Sequence, residues 1–139
     1  MTGEFAIAVH ALVYLNHKKE VLSSDELAAN VCTNPARVRK VMAKLKKAGL
    51  LSTKEGAEGG YYFSQNADEI NLNMICEAVD AQVVSASWKS GNKSMECLIA
   101  SGMADIMDGI YEQLNVECKK KLSEITISDI DAKIFKNKQ

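Results

Sequence analysis

The sequence predicts a mainly α-helical protein with one small β-hairpin. Several segments have apolar residues every three or four positions, as amphipathic helices do. Good capping residues stand where these segments begin or end, and a glycine-rich stretch separates two short β-prone runs. The order is three helices, a hairpin and a much longer helix. This order is typical of a winged helix-turn-helix followed by a long dimerisation helix.

The composition supports an ordinary globular protein. Of 139 residues, 47% are hydrophobic and 25% are charged, and both fractions are near globular averages. No apolar run approaches the ~20 residues of a membrane span, and the start has no signal-peptide pattern. The four cysteines are far apart and show no CxxC spacing, which favours reduced thiols over a disulfide framework or zinc site. We therefore expect a cytoplasmic protein without a metal site or a membrane partner.

The first two predicted helices lie within residues 1–31. Residues 3–17 have the spacing of an amphipathic helix. Its expected core positions are Phe5, Ile7, Val9, Leu12 and Val13. Ser23 is followed three residues later by Glu26, a capping-box pattern that opens a short helix through Val31.

The third predicted helix follows after a short break. Asn34 is a favourable N-cap and Pro35 a favourable first helical residue. The helix is expected to run to about Ala48, since Gly49 is the residue type found just past a helix end. Two short helices joined by a tight turn, and preceded by another helix, make a helix-turn-helix.

A hairpin is predicted directly after the third helix. Residues 50–54 and 61–64 are short strand-like runs, and the Gly-Ala-Glu-Gly-Gly stretch at 56–60 forms the expected tip. A phosphate-binding loop would need a helix immediately after the glycines. Because a strand-like run follows instead, the pattern predicts a wing.

The second half is predicted to be helical. Asn71 can cap a short helix, and an irregular stretch at about 81–94 contains the single tryptophan, Trp88. A long helix is expected over 95–121, about 40 Å at ~1.5 Å per residue. Its apolar stripe consists of Ile99, Met103, Ile106, Ile110 and Leu114. This stripe is longer than a small domain can cover, so we expect it to form a homodimer interface.

The chain is expected to end with a short helix and to divide into two parts. Thr126 and Asp129 suggest a capped helix over 127–134, followed by a polar, lysine-rich tail. We expect residues 1–66 to form the winged head. Residues 67–139 would form the connection, the long helix and the last helix, and the whole would be one compact unit.

The charge distribution is uneven despite a net charge of −1. Residues 1–65 contain nine Lys or Arg and six Asp or Glu, whereas residues 66–139 contain eight and twelve. Residues 35–54 contain seven cations and no acid. Such a run is often only a solvated helix face. Here it coincides with the second helix of the predicted helix-turn-helix, where recognition helices lie.

The third predicted helix would place small residues among these cations. Ala36, Lys40, Ala43 and Lys47 lie opposite the apolar face, which would let the helix approach the major-groove floor. Cations at its edges could reach phosphates. The predicted contacts to double-stranded operator DNA are Asn34, Arg37, Arg39, Lys40, Lys44, Lys47 and Lys54, with Gly59 and Gly60 in the wing. Among these, Arg37, Arg39 and Lys40 are candidates for base contacts.

With these residues in place, the chain resembles the Rrf2 family of bacterial transcription regulators, which includes cluster-binding regulators and cysteine-metabolism repressors. The matching segments are 3–7 and 11–15 in the first helix, 45–50, 56–61 in the wing, 69–72 and 125–129. The resemblance implies a winged helix that dimerises through its long helix. The two recognition helices of such a dimer are expected to bind a near-palindromic operator. Repression is the expected role.

Three features depart from the family pattern. Arg39 and Lys40 stand where many members have Glu and Gln, so operator preference is not transferable. The wing has Glu55 where many members place a minor-groove Arg, and Glu58 adds another acid. Cluster-binding members have three close cysteines before the long helix, whereas this chain has only Cys97 there. We therefore expect no cofactor.

Several interpretations stay open from the sequence. Cys97, at a loop-to-helix junction, is the candidate for a redox response. Cys76 is expected in the core, and Cys118 and Cys32 are expected to be structural. Trp88 is expected to anchor its loop, although an effector site there is the alternative. No catalytic constellation is present in the sequence, so no enzyme is predicted; a winged-helix protein-interaction module is the other alternative.

Overall fold

A computed structural model describes residues 3–136. The helices are α1 (Gly3–Lys18), α2 (Ser24–Val31), α3 (Pro35–Lys47), α4 (Leu72–Ala78), α5 (Leu98–Ser123) and α6 (Ile127–Lys136). The strands are β1 (Ser52–Lys54) and β2 (Gly60–Tyr62). The predicted fold class, a mainly helical chain with a winged helix-turn-helix and a long later helix, is confirmed. Part of the predicted lysine-rich tail lies outside the described residues.

Local capping sets the geometry of the helix-turn-helix. The Glu26 amide donates to Ser23 Oγ at 3.1 Å, and the Ser23 amide donates to Glu26 Oε1 at 3.4 Å, so the predicted capping box is present. Cys32 ends α2 in the left-handed region at φ +66°. Asn34 then caps α3 by accepting from the Arg37 amide at 2.8 Å. These local bonds turn the chain sharply between the two helices.

The wing is a short antiparallel hairpin joined to the segment before α2. Thr53 pairs with Tyr61 in the β1–β2 register. The Leu22 amide donates to the Tyr61 carbonyl at 2.9 Å, and the Tyr61 amide donates back to the Leu22 carbonyl at 2.8 Å. A Cβ at Gly60 would overlap the Leu22 carbonyl, so glycine permits this close approach. The strands are shorter than predicted, because residues 50 and 51 are buried in the core before pairing begins.

One hydrophobic core joins α1, α2, α3, α4 and α6. Leu12 and Leu15 of α1, Ile75 of α4 and Ile127 at the start of α6 are all fully buried in it. The segments before α4 and α6 are bonded to each other, since the Leu72 amide donates to the Ile125 carbonyl at 2.9 Å. Helix α6 packs against α1.

Helix α5 extends away from this core. It begins at Leu98 rather than the predicted residue 95 and ends at Ser123, a length of 26 residues. None of its side chains is fully buried, although Leu122, near its end, packs against the core. Its main helical neighbour is α4. Nearly all of its apolar surface is consequently open in the single chain.

A strap, residues 84–92, lies along one side of α5. At one end the Val84 backbone bonds to the Asn115 side chain, and at the other the Asn92 amide donates to the Ala100 carbonyl at 3.0 Å. Lys89 also pairs with Asp108 at 2.9 Å. The indole of Trp88 remains 76% exposed. The prediction that Trp88 anchors this loop is therefore wrong for the single chain, where polar bonds hold the strap instead.

Across residues 3–136, no helix combines the length and apolar character that crossing a membrane requires.

Candidate nucleic-acid interface

Helix α3 has a buried face and an opposite face open to solvent. Val38, Val41, Met42 and Leu45 are fully buried against the neighbouring helices. The exposed face is formed by two alanines and two lysines, Ala36, Lys40, Ala43 and Lys47. Because alanine side chains are small, the helix surface between the lysines protrudes little. This surface has the shape and charge to enter a groove lined by phosphates.

One edge of α3 faces the first turn of α1. Lys44 Nζ lies 2.7 Å from Glu4 Oε2, and Lys40 Nζ lies 3.4 Å from Glu4 Oε1. The hydrogen bond from Lys44 holds the pKa of the Glu4 carboxyl below its ordinary value, although partial burial opposes this shift. The Arg37 guanidinium lies directly over Gly3. Three predicted DNA-contacting cations thus gather on this edge.

The other edge of α3 faces α2 and the wing. Arg39 Nη1 donates to Ser24 Oγ at 3.3 Å, which orients the guanidinium along the start of α2. A cavity of about 340 Å³, the wing cavity, opens between α2, the end of α3 and the wing. Its lining includes Ser23, Ser24, Lys46, Lys54, Gly59 and Gly60. Two ammonium groups and the start of α2 therefore meet at one open cavity, and the carboxylate of Glu55 also lines it.

The predicted DNA-contacting residues occupy one side of the head but differ in surroundings. Lys54, Gly59 and Gly60 line the wing cavity, and Lys47 is exposed at the end of the α3 face. Asn34 uses its side-chain oxygen as the cap of α3. Lys44 is half-buried against Glu4.

Sequence reasoning missed three contributors to this surface: Lys46, Ser24 and Glu4. Lys46 belonged to the basic run but was left out of the predicted contacts. The capping pattern at Ser23 was a signal for Ser24, because it marked the start of α2. Glu4 lies 36 and 40 positions before its lysine partners, so no local pattern could have revealed it.

The stripe predicted for dimerisation lies open along α5. Ile99 is 70% exposed and Ile106 is 60% exposed; Ile110 and Leu114 are more than two-fifths exposed, and Met103 is half-buried. Large apolar side chains exposed in one contiguous row are typical of interaction surfaces.

The cysteines occupy four different environments. Cys97 is exposed just before α5, where the backbone N–H groups of Ala100 and Ile99 lower the pKa of its thiol. Cys76 is buried, as predicted, and burial raises the pKa of its thiol. Cys118 is half-buried, whereas Cys32 is exposed and does not pack in the core, contrary to expectation. No group of three or more His, Cys, Asp or Glu side chains within residues 3–136 is arranged to hold a metal ion.

Known proteins resemble this chain over nearly its full length. A family described as Rrf2, iron-dependent transcriptional regulators, matches residues 1–133. YwnA of Bacillus subtilis is 26% identical over 135 residues, covering 97% of this chain and 99% of YwnA. The transcriptional regulator IscR of Pectobacterium atrosepticum is 26% identical over 117 residues, covering 81% of this chain and 71% of IscR.

Solved structures share the fold. A crystal structure from Lactobacillus plantarum has a TM-score of 0.83 at 24% identity, covering 96% of this chain and 91% of that one. CymR, the global cysteine regulator of Bacillus subtilis, has a TM-score of 0.69 at 16% identity and 95% coverage of both chains. Together with the match over residues 1–133, these likenesses show that the chain belongs to the Rrf2 family of transcriptional regulators.

Proposed function

We propose that two copies of this chain bind a near-palindromic DNA operator, with one α3 helix in the major groove of each half-site. The observation that carries the proposal is the exposed side of the head. There the exposed face of α3, which carries two alanines and two lysines, lies beside the wing cavity. A regulator seated there would exclude other proteins from the same DNA, so repression is the expected outcome.

The residues divide into two roles in this proposal. Arg39 and Arg37, at the edges of α3, would contact base edges, since a guanidinium pairs well with guanine. Lys47, Lys46 and Lys54 would contact phosphates. Lys44 and Lys40, the latter a candidate base contact from the sequence, are instead paired with Glu4. In the wing cavity Lys46 and Lys54 outnumber Glu55, so one backbone phosphate would lie between the two ammonium groups, with Ser24 as a further hydrogen-bond donor.

The homodimer would form through the exposed stripe of α5. Obligate interfaces of this kind are apolar and typically bury ~2,000 Å² or more. The strap lies on a different side of α5 from the centre of the stripe, because Asp108 and Asn115 are offset from Ile106 and Ile110 around the helix. Dimerisation would set the half-sites about one DNA turn of ~10 bp apart, or a multiple of it.

The donor set does not fit an iron–sulfur cluster held by one chain. A cluster generally needs four protein ligands, mostly cysteine thiolates, at one site. Cys97 is the one cysteine beside the strap, while Cys76 is buried and donates to the Ala81 carbonyl at 3.1 Å. The family description mentions iron, but we propose that this member regulates without a resident cluster.

The decisive experiment measures binding to mixed-sequence duplex DNA as a function of salt. Neutralising phosphates releases counterions, so the logarithm of the affinity should fall linearly with the logarithm of salt concentration. Lys47→Ala should weaken binding to all sequences alike and reduce that slope by about one. Wild-type protein that does not bind duplex DNA at low salt would contradict the proposal. It would favour a protein-interaction module instead, which the exposed Glu55 and Glu58 of the wing make conceivable.

A small-molecule effector near Trp88 is the second candidate. The strap and α5 enclose a cavity of about 320 Å³ lined by Trp88, Met103, Met107, Asp108 and Tyr111, among others. A ligand bound there would contact both the strap and the dimerisation helix, which would connect binding to the arrangement of the two heads. This candidate predicts a rise in melting temperature and a change in operator affinity with the same compound.

A further inference from the structure

Both carboxylate oxygens of Glu4 contact lysine side chains of α3. Oε2 accepts from Lys44 Nζ at 2.7 Å, and Oε1 lies 3.4 Å from Lys40 Nζ. The Glu4 side chain is only 16% exposed, while those of Lys44 and Lys40 are 37% and 68% exposed. One carboxylate therefore holds two ammonium groups at the side of α3 that is proposed to face DNA.

This arrangement resembles the contact that a DNA phosphate would make. A phosphate also presents anionic oxygens to lysine, so it must compete with Glu4 for the same ammonium groups. Exposed ion pairs contribute little because water screens them. The sheltered carboxylate of Glu4 is less screened, and Lys44 is held in place by the hydrogen bond that keeps the pKa of Glu4 low.

The other lysines on this surface have no such internal competitor. Within the described part of the chain, Lys46, Lys47 and Lys54 take part in none of the ion pairs. Their ammonium groups are available to phosphates without breaking a bond inside the protein. The basic run of α3 thus contains two classes of cation, and Glu4 separates them.

We propose that Glu4 limits sequence-independent DNA binding by occupying Lys40 and Lys44 as an internal substitute for phosphate. This inference rests on the proposed binding of DNA by α3. Phosphate contacts provide affinity without sequence information. If Lys40 and Lys44 are paired with Glu4, two phosphate contacts are weakened, and base contacts supply a larger share of the binding energy. This increases the ratio of operator to non-operator affinity.

Glu4→Gln tests the proposal because it keeps the size of the side chain and removes the charge. The variant should bind mixed-sequence duplex more tightly, and its salt slope should steepen by up to about two. Between 50 and 200 mM salt, it should lose roughly tenfold more affinity than the wild-type protein loses. Operator affinity should rise less than mixed-sequence affinity, so the specificity ratio should fall.

A double-mutant cycle identifies the lysine responsible. Lys44→Gln should lower the salt slope by about one in the Glu4→Gln background and by clearly less in the wild-type background. If Lys44→Gln has the same effect in both backgrounds, Glu4 does not restrain Lys44 and the proposal is wrong.

A matched control and a second variant complete the test. Glu124→Gln also breaks a lysine–glutamate pair, with Lys121 at 3.3 Å, but lies at the end of α5 rather than on the head. It should leave the salt slope unchanged; a slope that rises equally in this control would assign the effect to net charge and overturn the proposal.

If Glu4→Gln does not fold, Glu4→Asp keeps the charge but shortens the reach, and the slope should steepen by about one. An unchanged slope in the folded Glu4 variants would overturn the proposal.

The outcomes also separate this inference from the proposed function. Wild-type binding that is sensitive to Lys47→Ala but indifferent to Glu4→Gln would reject the role of Glu4 alone. Wild-type protein without salt-dependent DNA binding would reject both, because Glu4 would then have no DNA contact to limit.

Discussion

The side-chain amide of Asn115 forms two hydrogen bonds with the backbone of Val84. The Val84 amide donates to Asn115 Oδ1 at 2.8 Å, and Asn115 Nδ2 donates to the Val84 carbonyl at 2.7 Å. One side chain of α5 therefore satisfies both backbone groups of a loop residue 31 positions earlier. This clamp fixes one end of the strap where it meets α5.

Asn115→Ala should release that end of the strap. Each hydrogen bond contributes about 1 kcal/mol net, so losing both should favour local opening by about 2 kcal/mol. Amide hydrogen exchange at Val84 should then be roughly 30-fold faster, since each 1.4 kcal/mol is a factor of ten. Gln113→Ala, which removes an exposed amide from the same helix, is the control. Unchanged exchange at Val84 in the Asn115 variant would show that other contacts hold the strap.

The sequence predicted the features of the fold that depend on nearby residues. The boundaries of α2 and α3 followed from caps, because Ser23 and Asn34 bond within three residues of themselves. The same holds for α6, where the Asp129 amide donates to Thr126 Oγ1 at 3.1 Å. The face of α3 that packs in the core followed from helical periodicity, since Val38 and Leu45 recur on one side.

Contacts between residues that are far apart in the sequence could not be predicted from local patterns. The basic run marked α3 as a candidate DNA surface, but the partners of Lys40 and Lys44 depend on how α1 packs across α3. Trp88 was expected to pack because indoles usually do. Here the indole is exposed, and the polar bonds of the strap, among them the clamp at Asn115, depend on residues far away in the sequence.

Ile106→Asp or Ile110→Asp should convert the proposed dimer to monomers or unfold the protein. A buried, unpaired carboxylate in an apolar interface is strongly destabilising. Sedimentation or light scattering would measure the mass. Val116→Asp is the matched control, because Val116 is 49% exposed on the same helix but points away from the stripe. If both stripe variants remain dimeric, or if Val116→Asp disrupts assembly equally, the interface has been assigned to the wrong face.

Arg39→Ala should relax sequence preference at one base pair in each half-site, because a bidentate arginine–guanine contact discriminates by ~1–3 kcal/mol. Lys47→Ala should instead reduce affinity for every duplex by a similar factor. Affinities for the operator and for single-base variants of it, measured at one salt concentration, would compare the two. Equal losses on every duplex in both variants would reject the division between base and phosphate contacts.

Cys97 should react with iodoacetamide at neutral pH faster than the other cysteines. Its thiol is exposed, and backbone N–H groups lower its pKa. At neutral pH a larger fraction of Cys97 is therefore in the reactive thiolate form than for an ordinary cysteine. Burial raises the pKa of Cys76, which should react only on unfolding. Mass spectrometry of briefly alkylated native protein would rank the sites, with Cys97→Ser as the control. Any peroxide response of DNA binding should also be lost in Cys97→Ser while reduced-state binding is retained.

Protein purified without oxygen should be colourless and contain negligible iron. Four ligands must converge on a stable cluster, but Cys97 is exposed at the start of α5 whereas Cys76 lies in the core. Two chains could pool two Cys97 thiolates only if both straps approached each other, and two further ligands would still be required. Operator affinity should therefore be the same before and after exposure to air, provided that Cys97 stays reduced. Brown protein with stoichiometric iron and sulfide would refute this. Loss of the colour in Cys97→Ser would then place the cluster at the strap.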